Sequence, residues 1–267
     1  MFYRGGSLYH NTDAVSRKAL FDYFTDVYAT STSDPKAHWI HSWSYVDAGT
    51  GVKSWLGVSN VQYTAAVDTA PPVFQPIMGQ NVTAAPAVSA TTLTQSTLDL
   101  AAANPVGSRQ WFVTMSFKRN SAMMEELFKI ADSTIQPIKN LEGLQYTISF
   151  QALPYSAYKQ AAARGGNSLG LDNDTDDIIF TLLTATWARS QDDSKVYAAG
   201  QSLFTQAKKK SQDLGVAKSF EYLNYAAAFQ DPIAAYGSAS VSRLNAAATK
   251  YDPKGVFQKL VQGGFKL

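Results

Sequence analysis

The chain has 267 residues, 45% of them hydrophobic and 16% charged, which is typical of a globular protein and excludes a disordered one. Its formal net charge of +2 is too small to attract a nucleic acid over long range, and no apolar run reaches the roughly 20 residues of a membrane span, so we expect neither partner. Cysteine is absent, which excludes disulfides, thiolate metal sites and a cysteine nucleophile.

The first third of the chain predicts a helix followed by a β-hairpin. Asp13 is a residue type that caps helices, and apolar residues follow it at helical spacing to about Thr30. Alternating side chains then predict a strand with an aromatic face over residues 37–47. After the short turn at 49–51, residues 53–67 predict its antiparallel partner. This region therefore favours an antiparallel sheet.

The remainder of the chain predicts strands and helices without the regular strand–helix–strand order of a parallel sheet. In chain order, the predicted elements are a helix over 93–103, a strand over 109–119, a helix over 121–135 capped by Ser121, strands over 144–153 and 177–188, a helix from Asp192 or Asp193 to about Leu214, an extended segment over 220–225 and a helix over 238–250. The sequence therefore predicts an α+β fold, in which an antiparallel β-sheet carries helices on one face.

One motif matches a hydrolase signature by its letters alone. Residues 166–170 read G-x-S-x-G, the nucleophile elbow of serine hydrolases. That elbow follows a buried strand, and its catalytic histidine comes later in the chain. The three histidines here, His10, His38 and His41, all lie upstream. A serine hydrolase is therefore disfavoured.

Metal and phosphate sites are also disfavoured. His38 and His41 are three residues apart on a predicted strand, so they face opposite sides and cannot hold one metal ion together. The acidic run at 172–177 begins like a calcium-binding loop, but Asp177 stands where that loop needs glycine and Leu183 where it needs glutamate. The sequence contains no G-x-G-x-x-G and no Walker motif. We expect no metal site and no self-sufficient phosphate-binding loop.

The chain carries a series of motifs in a fixed order, the strongest of them near its C-terminus. Near the C-terminus these are Tyr222-Leu223-Asn224-Tyr225, Tyr236-Gly237, Arg243-Leu244 and Tyr251-Asp252-Pro253-Lys254-Gly255-Val256-Phe257. Weaker pieces of the same pattern lie at residues 34–37, 71–74, 149–154, 165–171 and 263–267. In this order and spacing, the motifs resemble the fungal members of the berberine-bridge-enzyme-like FAD-linked oxidoreductases.

The resemblance implies a division of the chain into two parts. Residues 1–218 correspond to the family's substrate-binding α+β domain, and residues 219–267 to a C-terminal segment that docks on an FAD-binding domain. In the family that domain comes first, and we expect this chain, which starts at Met1, to lack it. The implied partners are a small-molecule substrate and either a separate FAD-binding domain or a second copy of the chain.

The resemblance also implies a reaction. The chain is expected to be the substrate-binding part of an FAD-dependent oxidoreductase that oxidises an alcohol, a sugar or a secondary metabolite by hydride transfer to flavin. We expect it to be incomplete on its own and to bind no FAD without a partner domain. The alternative is a stand-alone, non-redox binding protein or cyclase that uses the same pocket without flavin.

Four polar residues are the site candidates. By the resemblance, Tyr222 and Asn224 lie beside the flavin ring, Tyr222 as the catalytic residue and Asn224 as a cofactor-binding one. An ordinary tyrosine has a pKa of about 10, so a tyrosine acting as a base needs a stabilised phenolate or a proton relay. Asn224 offers a donor and an acceptor. Gln151, near a strand end, and Asn167, in the glycine-rich loop, are candidate substrate-binding residues.

Alternation within residues 222–225 predicts which side chains share a face. In an extended segment, Tyr222 and Asn224 point to one side, and Leu223 and Tyr225 point to the other. An ordinary strand shows the same pattern, so the motif assigns no function without the resemblance.

Overall fold

The computed structural model describes residues 2–10, 12–80, 82–84, 89–102, 106–172 and 174–267. The strands are β1 Phe2–His10, β2 Ala37–Asp47, β3 Lys53–Tyr63, β4 Val82–Ala84, β5 Ser89–Thr91, β6 Arg109–Lys118, β7 Gln145–Leu153 and β8 Ile178–Trp187. The helices are α1 Ala14–Tyr23, α2 Gln75–Met78, α3 Leu93–Ala102, α4 Ser121–Ile135, α5 Tyr155–Tyr158, α6 Asp193–Asp213, α7 Ser238–Tyr251 and α8 Val256–Lys259.

These strands form one antiparallel sheet. Its order is β4-β1-β3-β2-β7-β8-β6, and β5 pairs with β1 beside β4. Six strands are long, whereas β4 and β5 have three residues each. The hairpin of β2 and β3 pairs residue by residue from Ala37 opposite Tyr63 to Asp47 opposite Lys53. The predicted α+β fold with an antiparallel sheet is confirmed.

One face of the sheet packs against α1, α4 and α6. Alternate residues of β2 point to this face, and Trp39, His41 and Trp43 are fully buried there. The ring of Phe21 on α1 lies 5.8 Å from that of His41 and 5.4 Å from that of Phe150 on β7. This is the aromatic face that alternation over residues 37–47 predicts, and it forms the centre of the core.

Helix α6 approaches β6 through a glycine. A Cβ atom at Gly200 would lie 1.7 Å from Cη2 of Trp111, well inside van der Waals contact. Only a residue without a side chain therefore allows this helix to rest on the Trp111 ring. The same contact fixes the distance of α6 from the edge of the sheet.

The start of α4 and the end of α1 differ from the sequence prediction, which has Ser121 as the cap of the one and about Thr30 as the end of the other. Asn120, and not Ser121, caps α4, because its side chain accepts a hydrogen bond from the backbone N–H of Met123 over 2.8 Å. The predicted cap of α1 at Asp13 is confirmed, with a bond of 2.9 Å from the Ser16 N–H. The helix continues after Tyr23 as a π-helix to Tyr28. Ala103, the predicted end of α3, lies outside the described residues.

The sequence prediction missed β1, β4 and β5. Strand β1 pairs with β3 along its length, but its register shifts between Arg4 and Gly6, where a bulge interrupts the pattern. Two adjacent glycines and this bulge hide the period of two that identifies a strand. None of the helices in the described part of the chain is long and apolar enough to cross a membrane.

The second face of the sheet, opposite α1, α4 and α6, is polar in the middle. The hydroxyls of Ser42 and Ser149 are 2.8 Å apart, and Thr147 donates a hydrogen bond of 2.9 Å to Ser44. Both pairs join β2 to β7. After α6 the chain follows the outer edge of β6 and then crosses onto this face before α7. The division of the chain at residue 218 stays a prediction.

Candidate functional site

Three aromatic rings meet where the chain crosses the second face of the sheet. Tyr222 and Tyr225 stand edge to face, with their ring centres 4.8 Å apart. Phe180 of β8 lies 5.3 Å from Tyr222 and 6.2 Å from Tyr225. All three rings are half-buried. They form a partly open apolar surface, here called the aromatic cluster.

Two amide side chains hold the hydroxyls of this cluster. Asn224 donates a hydrogen bond from Nδ2 to the Tyr222 hydroxyl oxygen over 3.1 Å. Gln151 donates from Nε2 to the Tyr225 hydroxyl oxygen over 3.3 Å. Gln151 lies directly opposite Phe180 in the pairing of β7 with β8. The structure therefore brings together three of the four site residues predicted from the sequence: Tyr222, Asn224 and Gln151.

The backbone of this segment differs from the extended one predicted. Tyr222 itself is extended, but Leu223–Tyr225 forms a turn of 3₁₀ helix, closed by a bond of 2.8 Å from the Tyr225 N–H to the Tyr222 carbonyl. The prediction that Tyr225 points away from Tyr222 is wrong, because the turn swings its ring back onto Tyr222. Tyr225 and Phe180 are the site residues that sequence reasoning missed.

Asn167, the fourth predicted residue, has different neighbours. Its side chain accepts a hydrogen bond of 2.8 Å from the Leu169 N–H, which closes the glycine-rich loop on itself. Arg243 of α7 donates to its carbonyl oxygen over 2.7 Å, and its N–H donates to Asp172 over 2.9 Å. Within the described residues, none of these contacts joins Asn167 to the aromatic cluster.

Two glycines of the glycine-rich loop, Gly166 and Gly170, allow close packing against neighbouring atoms. A Cβ atom at Gly170 would lie 2.2 Å from the carbonyl oxygen of Tyr236, and one at Gly166 would lie 2.6 Å from the Asp172 carboxylate. Both glycines also have positive φ angles, of 75° and 82°. The loop therefore rests directly on the start of α7, and the G-x-S-x-G letters arise from this close approach.

The side chain chemistry of Tyr222 follows from its bond with Asn224. An amide N–H can only donate, so the Tyr222 oxygen accepts it and keeps its own proton free for transfer to another group. The same donor stabilises the oxygen once that proton has left. The Tyr222 hydroxyl can therefore donate a hydrogen bond to a second group while Asn224 holds its oxygen.

Two of the three histidines are buried on the helix side of the sheet. Nε2 of His10 lies 2.9 Å from Oγ of Ser59, and Nδ1 of His41 lies 3.0 Å from the same oxygen. The Gln80 carbonyl oxygen, 3.1 Å from Nδ1 of His10, can only accept a hydrogen bond, so Nδ1 carries the proton of the neutral ring. Ser59 therefore donates to His10 and accepts from His41. Nε2 of His41 is left buried and without a partner in the described structure.

Burial disfavours the charged form of both of these histidines. It lowers the pKa of His41 well below its usual value, and the neighbouring His10 lowers it further. Burial also lowers the pKa of His10, an effect that its bond to the Gln80 carbonyl opposes. These residues belong to the core and not to the candidate site. Across the described residues, no three His, Asp or Glu side chains are grouped to hold a metal ion.

Comparison with known proteins relates the chain to fungal flavoenzymes. No protein-family model matches it. It is 38% identical over 162 residues to the FAD-dependent monooxygenase drtC of Aspergillus calidoustus, covering 60% of this chain and 31% of that protein. It is 28% identical over 240 residues to the FAD-dependent monooxygenase sdcF of Emericella nidulans, covering 88% of this chain and 48% of that protein. The chain thus spans between about a third and a half of these relatives.

Solved structures share the fold. 6-Hydroxy-D-nicotine oxidase from Arthrobacter nicotinovorans matches 96% of this chain and 53% of its own, with a TM-score of 0.64 at 15% identity. Berberine bridge enzyme matches 96% of this chain and 54% of its own, with a TM-score of 0.63 at 12% identity. In its fold, the chain is similar to the berberine-bridge-like FAD-linked oxidoreductases. The resemblance predicted from the motifs is confirmed, and the sheet and helices are those of the substrate-binding half of that fold.

Proposed function

We propose that this chain forms the substrate-binding part of an FAD-dependent oxidoreductase that oxidises an alcohol, a sugar or another secondary metabolite by hydride transfer to flavin. The observation that carries the proposal is the hydrogen bond from Asn224 to the Tyr222 hydroxyl, on the polar face of the sheet. The kinship with FAD-dependent enzymes supports it.

The residues of the second face fit the ring of a flavin. The aromatic cluster offers half-buried rings for stacking, and the amides of Asn224 and Gln151 end beside it, where they complement the polar edge of a ring. The phosphates of FAD find no comparable match, because the sequence has no glycine-rich phosphate-binding motif. We therefore assign the ring to this chain and the phosphates to the FAD-binding half of the enzyme.

The proposed oxidation removes two hydrogens from the substrate, one as a hydride and one as a proton. A bound flavin supplies the acceptor for the hydride that leaves the carbinol carbon. Oxidation to a carbonyl also requires the hydroxyl proton of the substrate to leave, and Tyr222 receives it at Oη, after its own proton has passed on to solvent. Asn224 holds that oxygen in place and stabilises its negative charge. Gln151 holds Tyr225, whose ring supports Tyr222 from the side.

The C-terminal helices provide a surface for the FAD-binding half. Tyr251, Phe257 and Leu260 have 66–77% of their surface exposed. Lys254 and Lys259 stand among these apolar residues. An exposed apolar patch of this kind marks an interaction site. We propose that it docks on the FAD-binding half, whether that half lies on the same polypeptide or on another. The competing partner for this patch is a second copy of the chain.

The test is reconstitution with an FAD-binding half. The chain is coexpressed with the part of the sdcF relative that lies outside the region of match, and the complex is isolated by size exclusion. The proposal predicts a one-to-one complex with bound flavin, and a chain that retains no flavin when purified alone. A Phe257→Asp variant should abolish the complex, whereas a Val15→Asp variant on the exposed side of α1 should not.

Two outcomes would overturn the proposal. Conversion of a substrate by the chain in the absence of flavin would favour the non-redox binding protein or cyclase. A complex that inserts an oxygen atom from O₂ into its product, as the names of the curated relatives indicate, would replace hydride oxidation by monooxygenation. Products are identified by mass spectrometry after incubation under ¹⁸O₂.

A further inference from the structure

The side chain of Gln230 takes the place of a neighbouring strand at the edge of the sheet. Its Oε1 accepts a hydrogen bond from the Thr114 N–H over 3.1 Å, and its Nε2 donates to the Thr114 carbonyl over 2.8 Å. Oε1 also accepts from the Ala227 N–H over 3.0 Å. Gln230 is 7% exposed. One buried amide therefore satisfies both backbone groups of an edge residue and binds the returning chain to it.

The chain is also bound to β6 before the crossing, at residues 216–220. The Lys118 N–H donates to the Val216 carbonyl over 2.8 Å, and Phe117 pairs with Ala217 in an isolated β-bridge. Ser116 then donates from its hydroxyl to the Phe220 carbonyl. The chain leaves the edge after Phe220 and returns to it at Ala227.

Between these two attachments the chain carries Tyr222, Asn224 and Tyr225. The crossing is only six residues long, from 221 to 226, and one turn of 3₁₀ helix occupies its middle. A short loop fixed at both ends has few conformations available, so the attachments determine where the Tyr222 hydroxyl stands. Residues 116–118 make the first attachment largely through the backbone. Gln230 makes the second through its side chain.

We propose that Gln230 is a positioning residue for the Tyr222 site, acting through Thr114 and Ala227. The expected effect of Gln230 on turnover rests on the proposed function, whereas its expected effect on the position of Tyr222 does not. Without the amide, the return of the chain at Ala227 loosens and Tyr222 samples positions away from Phe180. A displacement of about 1 Å can reduce a rate about 100-fold. Substrate binding by the rest of the sheet would persist.

Two variants separate positioning from general stability. Gln230→Met keeps the length of the side chain but removes all three hydrogen bonds. Gln230→Glu keeps an acceptor for the two N–H groups and loses the donor to the Thr114 carbonyl. Gln201→Met, on the exposed side of α6, is the matched control. All are tested in the purified chain without flavin.

Hydrogen exchange and tyrosine nitration are the readouts. We expect Gln230→Met to raise the amide exchange rates of Thr114 and Ala227, and the nitration of Tyr222 and Tyr225, by about 10-fold or more. Gln230→Glu, which also places a buried carboxylate against the Thr114 carbonyl, should give a change at least as large, and Gln201→Met none. Exchange in β2 and nitration of Tyr197 should stay at the values of the unmodified chain.

A uniform rise in exchange over the whole sheet, or no change at Thr114 and Ala227, would overturn the inference. In a reconstituted flavin complex, Gln230→Met should lower kcat and leave KM unchanged. Failure of the complex to bind flavin would contradict the proposed function alone, because exchange and nitration require no cofactor.

Discussion

Asn224 donates a hydrogen bond to the hydroxyl oxygen of Tyr222 over 3.1 Å, from a position two residues later in the chain. The turn of 3₁₀ helix at Leu223–Tyr225 makes this bond possible, because it brings the amide back toward the tyrosine ring. The bond leaves the tyrosine proton free and supplies a donor to the oxygen that remains. The proposed role of Tyr222 in proton transfer rests on this arrangement.

Replacement of Tyr222 should affect turnover more than binding. In the reconstituted complex, we expect Tyr222→Phe to lower kcat by about 10²–10⁴-fold, the usual contribution of a general base, with little change in KM. Tyr197→Phe is the control, since Tyr197 lies on α6 against Trp111 and Trp187. Equal turnover in the two variants would remove Tyr222 from the reaction.

A methyl group at Gly200 should destabilise the fold. The Cβ atom would lie 1.7 Å from Cη2 of Trp111, so either α6 or the indole must move. Overpacking of this kind costs about 1–3 kcal/mol. We expect Gly200→Ala to lower the free energy of unfolding by this amount in urea titrations. Ser202→Ala on the same helix serves as control, and equal stability of the two variants would contradict the close packing of α6 on β6.

Neighbouring glutamates on α4 should differ in their contribution to stability. Glu125 accepts two hydrogen bonds of 2.8 Å from Arg17, whose guanidinium lies 4.1 Å from the centre of the Phe128 ring. Arg17 is 8% exposed, so Glu125→Ala leaves its charge buried and unpaired. We expect a loss of about 3 kcal/mol, against less than about 1 kcal/mol for Glu126→Ala in its more exposed pairs. Equal losses in urea titrations would show that the buried pair is unimportant.

Because two histidines are buried, we expect the free energy of unfolding to fall in mild acid. The pKa values of His10 and His41 are lowered in the fold, so the unfolded chain binds more protons below pH ~6.5. Their contribution is fully present above that pH and is lost as the pH falls toward the lowered values. The free energy of unfolding, measured between pH 7 and 5, should fall less steeply in a His10→Gln/His41→Gln variant. An equally steep fall would locate the titrating groups elsewhere.

Local patterns predicted most of the sheet and all the long helices. Strand β2 was predicted with its observed ends because a period of two covers its whole length, and α6 because its helical run ends at Gly215. The turn at Leu223–Tyr225 was missed because Tyr-x-Asn-Tyr is equally compatible with an extended segment. The attachment of Gln230 to Thr114 depends on a contact between residues 116 positions apart, which no local pattern reveals.

We propose that Tyr222 stands beside the flavin ring in the assembled enzyme. Flavin emission in the reconstituted complex tests it directly, because a tyrosine ring in contact with a flavin quenches its fluorescence by electron transfer. We predict stronger emission from the Tyr222→Phe complex than from the unmodified and Tyr197→Phe complexes, at equal flavin content. Unchanged emission in Tyr222→Phe would contradict the claim.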